Sequence, residues 1–201
     1  PPVTLTVAGV PDGATEYSHG NGTTLITYGD TVAVSVRQTF ETANTSIQEC
    51  AGWFGTGSVT AHGYSASTNI TIKSDSSITW IWNTTKWWLE TSADNGSVSV
   101  PSGWQTAGST TELTAMPSAH YHFTGWTGTT NGCEVSGSAL SVPMDRVRSI
   151  VANFEIDSHM VSIGETLCDT IPSAGELDLT YGSMATVEVV NAVINCGATQ
   201  Y

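Results

Sequence analysis

Thr27-Tyr28-Gly29-Asp30-Thr31-Val32-Ala33-Val34 decides how this chain is read, because the pattern occurs three times. It returns as Thr106-Ala107-Gly108-Ser109-Thr110-Thr111-Glu112-Leu113 and as Thr180-Tyr181-Gly182-Ser183-Met184-Ala185-Thr186-Val187, so the marker glycines Gly29, Gly108 and Gly182 are almost evenly spaced. A Gly-Trp pair follows in two copies, Gly52-Trp53 and Gly125-Trp126. A closing segment then repeats, Ser77-Ile78-Thr79-Trp80-Ile81-Trp82 and Ser149-Ile150-Val151-Ala152-Asn153-Phe154. Self-similarity at a fixed period signals a row of small units, each too thin to bury a core of its own without neighbours or staples.

The third copy is unfinished. The first copy runs from Gly29 to its tryptophan at Trp53, and the second runs a little more briefly from Gly108 to Trp126. The matching window after Gly182 is reached as the chain ends at Tyr201, with no tryptophan in it. Either a longer polypeptide continues there, or something else supplies the missing half. The expected units are 1–85, 86–156 and an incomplete 157–201. Short joints at Asn83–Lys86 and Ile156–Ser158 leave little freedom between them.

Composition narrows the function classes. Charged residues are 11 %, about half the usual share, and Gly, Ser, Thr and Asn take their place. A hydrophobic share of 39 % argues against wholesale disorder. The net charge is −13 with five Lys plus Arg, and Arg37, Lys73, Lys86, Arg146 and Arg148 form no patch. Nucleic-acid binding and attachment to anionic membranes both need clustered basic residues and are disfavoured. No apolar run is long enough for a transmembrane helix, and no membrane insertion is expected.

The chain reads as all-β. Val3 to Val7, Thr31 to Val36, Asn69 to Lys73 and Ile78 to Trp82 alternate, and residues i and i+2 of a strand share a face. Ile78, Trp80 and Trp82 therefore point one way, as do Ile150, Ala152 and Phe154. With Trp53 and Trp126 they are the expected cores. Met184 to Ile194 reads as strand by alignment with the segments after Gly29 and Gly108. A short helical turn between Phe40 and Ile47 stays open.

Gly108 to Ala115, Pro117-Ser118-Ala119-His120-Tyr121-His122-Phe123-Thr124-Gly125-Trp126-Thr127-Gly128, Val142-Pro143-Met144-Asp145 and Ile150-Val151-Ala152-Asn153-Phe154 together resemble the divergent internalin B-repeat (bacterial repeat) family. The resemblance covers the second copy almost throughout, the first copy at its landmarks, and only the first half of the third. It implies tandem small β-modules, partly β-grasp-like or sandwich-like, of bacterial surface and secreted proteins. It carries over no catalytic residue, and it implies a spacer, stalk or adhesive role.

Four cysteines need placing. Cys168 and Cys196 lie at equal distances either side of Gly182, and the matching first-copy positions, Thr15 and Ala43, both lack cysteine. Present together and absent together, they are expected to form a disulfide, worth about 3–4 kcal/mol for a loop of that size. Cys50 and Cys133 either stay as buried thiols or bridge the first two units. Disulfides place a protein outside the cytoplasm, at the cell surface or beyond it.

Other candidate chemistry is sparse. His120-Tyr121-His122 puts two imidazoles on one expected strand face, without an acidic or cysteine ligand nearby. Asp12, Asp30, Asp94 and Asp145 sit in turns and offer weak calcium binding; no other cofactor is expected. Trp80, Trp82, Trp87 and Trp88 crowd one segment, chiefly as core and joint filler. Trp104, after Pro101-Ser102-Gly103, is the expected ligand-facing aromatic. No Gly-rich phosphate loop, Gly-x-Ser-x-Gly elbow or His-Glu-x-x-His pair occurs. The sequence thus points to a non-enzymatic extracellular structural repeat that forms a stalk, sheath or fibre and polymerises when a neighbouring copy completes the half-unit. An adhesin or carbohydrate-binding module, with surface glycans as partners, is the alternative.

Overall fold

Alternating apolar and polar residues, broken every few positions by Gly, Asn and Pro, leave the chain nothing but strands and turns to form. The computed structural model describes residues 1–163, 169–171 and 175–190, with no helix among them. Cys168 and Cys196, and with them the expected disulfide, lie outside the described residues.

The first unit contains β1 (Pro2–Ala8), β2 (Gly22–Thr27), β3 (Thr31–Ser35), β4 (Thr39–Thr42), β5 (Ser46–Thr56), β6 (His62–Gly63) and β7 (Ser67–Thr71). It is closed by β8 (Ser76–Ala93), an 18-residue strand. The second contains β9 (Gly96–Val98), β10 (Gly103–Thr106), β11 (Thr110–Pro117), β12 (Tyr121–Gly128), β13 (Glu134–Ser136), β14 (Ala139–Pro143) and β15 (Arg148–Ile156). The third begins with β16 (Ser158–Ile163), β17 (Asp169–Ile171), β18 (Gly175–Thr180) and β19 (Glu188–Val190).

Each complete unit is a two-layer β-structure. In the first, a sheet of β2, β1, β8 and β5 faces the β3–β7 pair. Leu5, Val7, Val34, Trp53, Ile70, Ile78 and Trp80 fill the space between them. In the second, a sheet of β10, β8, β15 and β12 faces β13-β14-β11-β9 across Leu89, Leu113, Leu140, Val142, Met144 and Ile150. Trp126 packs against that core from its edge, and Trp82 does the same in the first unit. Phe154 is half-buried and meets Phe123 edge-on at 5.9 Å.

The repeated sequence becomes repeated geometry. Gly29, Gly108 and Gly182 adopt φ of +91°, +78° and +79°, a left-handed turn that favours glycine. In the first two units the glycine N–H donates to the carbonyl directly after the strand that precedes the closing segment, Ile72 O at 2.7 Å after β7 and Met144 O at 2.8 Å after β14. The Gly-Trp pairs sit where β5 and β12 shift register against β8 and β15, between Cys50 and Gly52 and between Phe123 and Gly125. Each glycine supplies a bulge, and the bulge aims the following tryptophan inward.

The joint at Asn83–Lys86 is no linker. It lies inside β8, whose first half pairs parallel with β1 and antiparallel with β5. Its second half pairs antiparallel with β10 and parallel with β15. The core side of β8 is even-numbered at Ile78 and Trp80 and odd-numbered at Trp87 and Leu89. A register shift reconciles them: Ile47 faces Lys86 and Gln48 faces Thr84, leaving Thr85 as an extra residue. One inserted residue resets strand alternation, so both cores lie on one face of one strand.

Two alternatives left open by the sequence are resolved. The segment from Phe40 to Ile47 is a β-hairpin of β4 and β5, turning at Asn44 with φ +50°. Cys50 and Cys133 are free thiols and make no bridge, because Cys50 belongs to the first core and Cys133 packs against the second.

The two Gly-Trp glycines differ in what a side chain would meet. A Cβ on Gly52 runs into the carbonyl of Gly63, whereas a Cβ on Gly125 meets open space. Gly52→Ala is therefore expected to cost several kcal/mol and Gly125→Ala about 1 kcal/mol, measured by urea unfolding of the full chain. Equal costs would remove the bulge contact as the reason for the first glycine.

Candidate functional site

The outward face of the nine-stranded sheet carries aromatic side chains that lie outside the two cores. Leu89 is buried and strand neighbours alternate, so Trp88 and Glu90 face away from the second core. Trp104 of β10 lies directly opposite Trp88, and the two rings meet edge-to-face at 5.1 Å. Both are half-buried. Beside them Ser149 donates to Glu90 Oε2 at 3.1 Å; further along β15, Asn153 donates to Gly125 O and Thr127 Oγ1 of β12. The result is an aromatic corner edged by the Glu90–Ser149 pair.

A second aromatic cluster lies on the first unit. Phe54 follows the core residue Trp53 and so faces outward, 62 % exposed. It pairs across the strands with His62, whose ring meets that of Tyr64 at 5.5 Å; Tyr64 is 85 % exposed. Sequence reasoning favours Trp104 and passes over Phe54 and Tyr64. The signal for Phe54 is strand alternation: if Trp53 points in, Phe54 must point out.

The histidine pair does not share a face. His120 precedes β12 with φ +68° and stacks on Tyr181, ring centroids 3.4 Å apart. His122 is on β12 and lies 3.0 Å from an Asp157 carboxylate oxygen. Backbone bonds run alongside, Asp157 N–H to His120 O at 2.8 Å and Tyr181 N–H to Asp157 O at 2.7 Å. These imidazoles clasp the second unit to the third. Among the described residues no three His, Cys, Asp or Glu side chains converge as metal ligands.

Among the described residues one charged group is buried. Arg148 is 1 % exposed and its guanidinium donates to Pro143 O, Thr129 O, Asn131 O and Asp145 Oδ1 at 2.7–3.2 Å. It ties the loop before β13 to the turn before β15. Asp145 also accepts two bonds from Arg146, 3.1 and 2.9 Å. Those Arg146 bonds, followed by the Arg148 bond and charge, hold its carboxyl down at about 2. With its oxygens engaged this way, Asp145 is a poor calcium ligand. Burial pushes the thiols of Cys50 and Cys133 up, the latter against the pull of Arg148, so neither is primed as a nucleophile.

Residues 89–158 match the family described as the divergent InlB B-repeat domain. The match runs from the second half of β8 to the first residue of β16, which is one whole unit. The likeness of that segment is to a repeat family of bacterial surface proteins. No curated protein and no solved structure matches the chain.

The Asp145 cluster sets an acid response. Its carboxyl titrates lower when folded than when unfolded. Its stabilising contribution is therefore present above the ordinary carboxylate range and is lost as pH falls from about 4 toward 2. Asp145→Asn is expected to melt below the parent at pH 7, with the gap closing over that window. A gap that stays constant in circular-dichroism melts would exclude the ion cluster as its source.

Proposed function

We propose that this chain is a non-enzymatic structural segment of an extracellular or cell-surface bacterial protein, whose third unit has its exposed apolar positions covered by strands of a neighbouring subunit or an adjoining repeat. Stalk, sheath and fibre are the forms such a row takes. The observation that carries the reading is a set of equivalent positions. Leu5 and Leu89 are each 0 % exposed, and Val161, which takes the same place in the β16–β18 pairing, is 42 % exposed. Val34 and Leu113, at the same step past a marker glycine, are 1 % and 0 % exposed, whereas Val187 is 51 % exposed. Apolar positions that are core in two units face solvent in the third. Added strands from outside would cover them, as in β-strand addition between chains. Head-to-tail repetition of that contact builds an open filament.

Sedimentation velocity over a range of concentrations, with negative-stain images of the same samples, tests the completion by neighbouring subunits. Concentration-dependent, end-to-end particles are expected. Val187→Asp places a charge at a position already exposed in the single chain. It should leave the unfolding free energy within about 0.5 kcal/mol of the parent and abolish assembly. Monomers at every concentration would rule out covering by neighbouring subunits.

The Trp88–Trp104 corner favours a second reading, an adhesive module that holds surface glycans. Aromatic faces beside fixed hydrogen-bonding groups suit the apolar and polar sides of a sugar ring. Titration with a glycan panel, followed by the indole resonances of Trp88 and Trp104, is expected to shift both. Trp104→Ala should remove the response, and silence across the panel would end this reading.

A further inference from the structure

The first unit is larger than the second in two places, and both additions meet at one cavity. The stretch from Leu5 to Gly29 is longer than its counterpart from Leu89 to Gly108. The stretch from Gly29 to Trp53 is likewise longer than that from Gly108 to Trp126. The first addition is the loop between β1 and β2. The second is the β4 hairpin. Together with Trp82 they line a cavity of about 190 Å³ whose polar and aromatic wall is Glu16, Tyr17, Arg37, Phe40, Glu41 and Trp82. Val10 and Val36, both core residues, form its floor.

The wall is pre-formed. Asn21 pins the loop by a double bond pair with the Val10 backbone, 2.9 and 2.8 Å. Ser18 N–H donates to Ser35 O at 3.0 Å, and Tyr17 bridges to Val36. The Trp82 indole N–H donates to Gly9 O at 2.7 Å, which fixes the ring. Phe40 meets Trp82 at 6.5 Å with their planes 68° apart, two walls of a box. Extra chain spent on one fixed concavity marks a site grafted on a scaffold unit.

We propose that this cavity binds an organic ammonium head group. Trp, Tyr and Phe faces attract a cation through their quadrupoles, and quaternary ammonium is the group that aromatic boxes select. Glu16 and Glu41 supply negative charge at the wall, and the chain's net charge of −13 draws cations toward it. The volume is below the ~300–1,000 Å³ of sites for drug-sized ligands, and suits a head group with its tail outside. Arg37 is the competing cation. It lies 3.6 Å from Glu16 with both side chains largely in water, a weak pair that an incoming ammonium can displace.

The test is a titration of the full chain with choline, with its uncharged isostere 3,3-dimethylbutan-1-ol and with N-acetyl-lysine methylamide, followed by the Trp82 indole resonance and calorimetry. Choline is expected to bind at least about tenfold more tightly than the isostere. Phe40→Leu keeps the apolar volume and should weaken choline by a similar factor. Arg37→Gln removes the rival cation and should tighten it a few-fold, an effect that loss of structure cannot produce. Lysine amide matching choline assigns the site to basic peptide side chains; choline alone assigns it to free or lipid-borne quaternary ammonium. Equal binding of the isostere, weaker binding in Arg37→Gln, or no Trp82 shift with any cation overturns the proposal.

Discussion

Everything in this fold hangs on the parallel pairing of a complete unit's first strand with its last, and on the last strand of the first unit continuing as the first of the second. β1 runs beside the first half of β8, and the second half of β8 runs beside β15. Parallel neighbours cannot be joined by a tight turn. The chain between them must therefore leave the sheet, build the opposing layer and come back. The marker glycine turns it into that layer, and the closing segment returns it. The two-layer core follows from that path.

The shared strand also explains why Thr85 matters more than its chemistry suggests. Side-chain alternation has a period of two, and one slipped residue would send the second core to the far side of the sheet. The extra residue between the two halves of β8 cancels the mismatch. A polar, ordinary tetrapeptide thereby keeps Ile78 and Leu89 on a common face. The buried Arg148 has a comparable part at the other end of the second unit, where it gathers three carbonyls and a carboxylate from separate loops.

The periodic features are legible in the sequence because they record local backbone needs. A glycine at positive φ, a glycine bulge ahead of a core tryptophan and an alternating closing strand each leave a short signature, and all three repeat. What escapes depends on partners distant in sequence. Asn83 to Lys86 reads as a joint from its composition, yet it is held as strand by β5 on one side and β10 on the other. Phe40 to Ile47 is too short to show a period and becomes a hairpin by pairing with itself. His120 and His122 alternate as though on one strand, but the positive φ of His120 takes it out of β12. Arg148 looks like half of a solvated Arg pair; only the fold brings Thr129 and Asn131 to its guanidinium. Among the candidate site residues, Trp104 is legible as a non-core tryptophan, and its partner Trp88 is not.

The continuity of β8 has a mechanical consequence. Tension applied along the chain passes from β1 to β8 and from β8 to β15 through ladders that lie parallel to the pull. Such ladders resist by sliding, with many hydrogen bonds loaded at once, and cannot open one bond at a time from an end. A hinge between the units would have let each rotate to its weakest direction. With one strand common to both, the pair meets a load as a single beam.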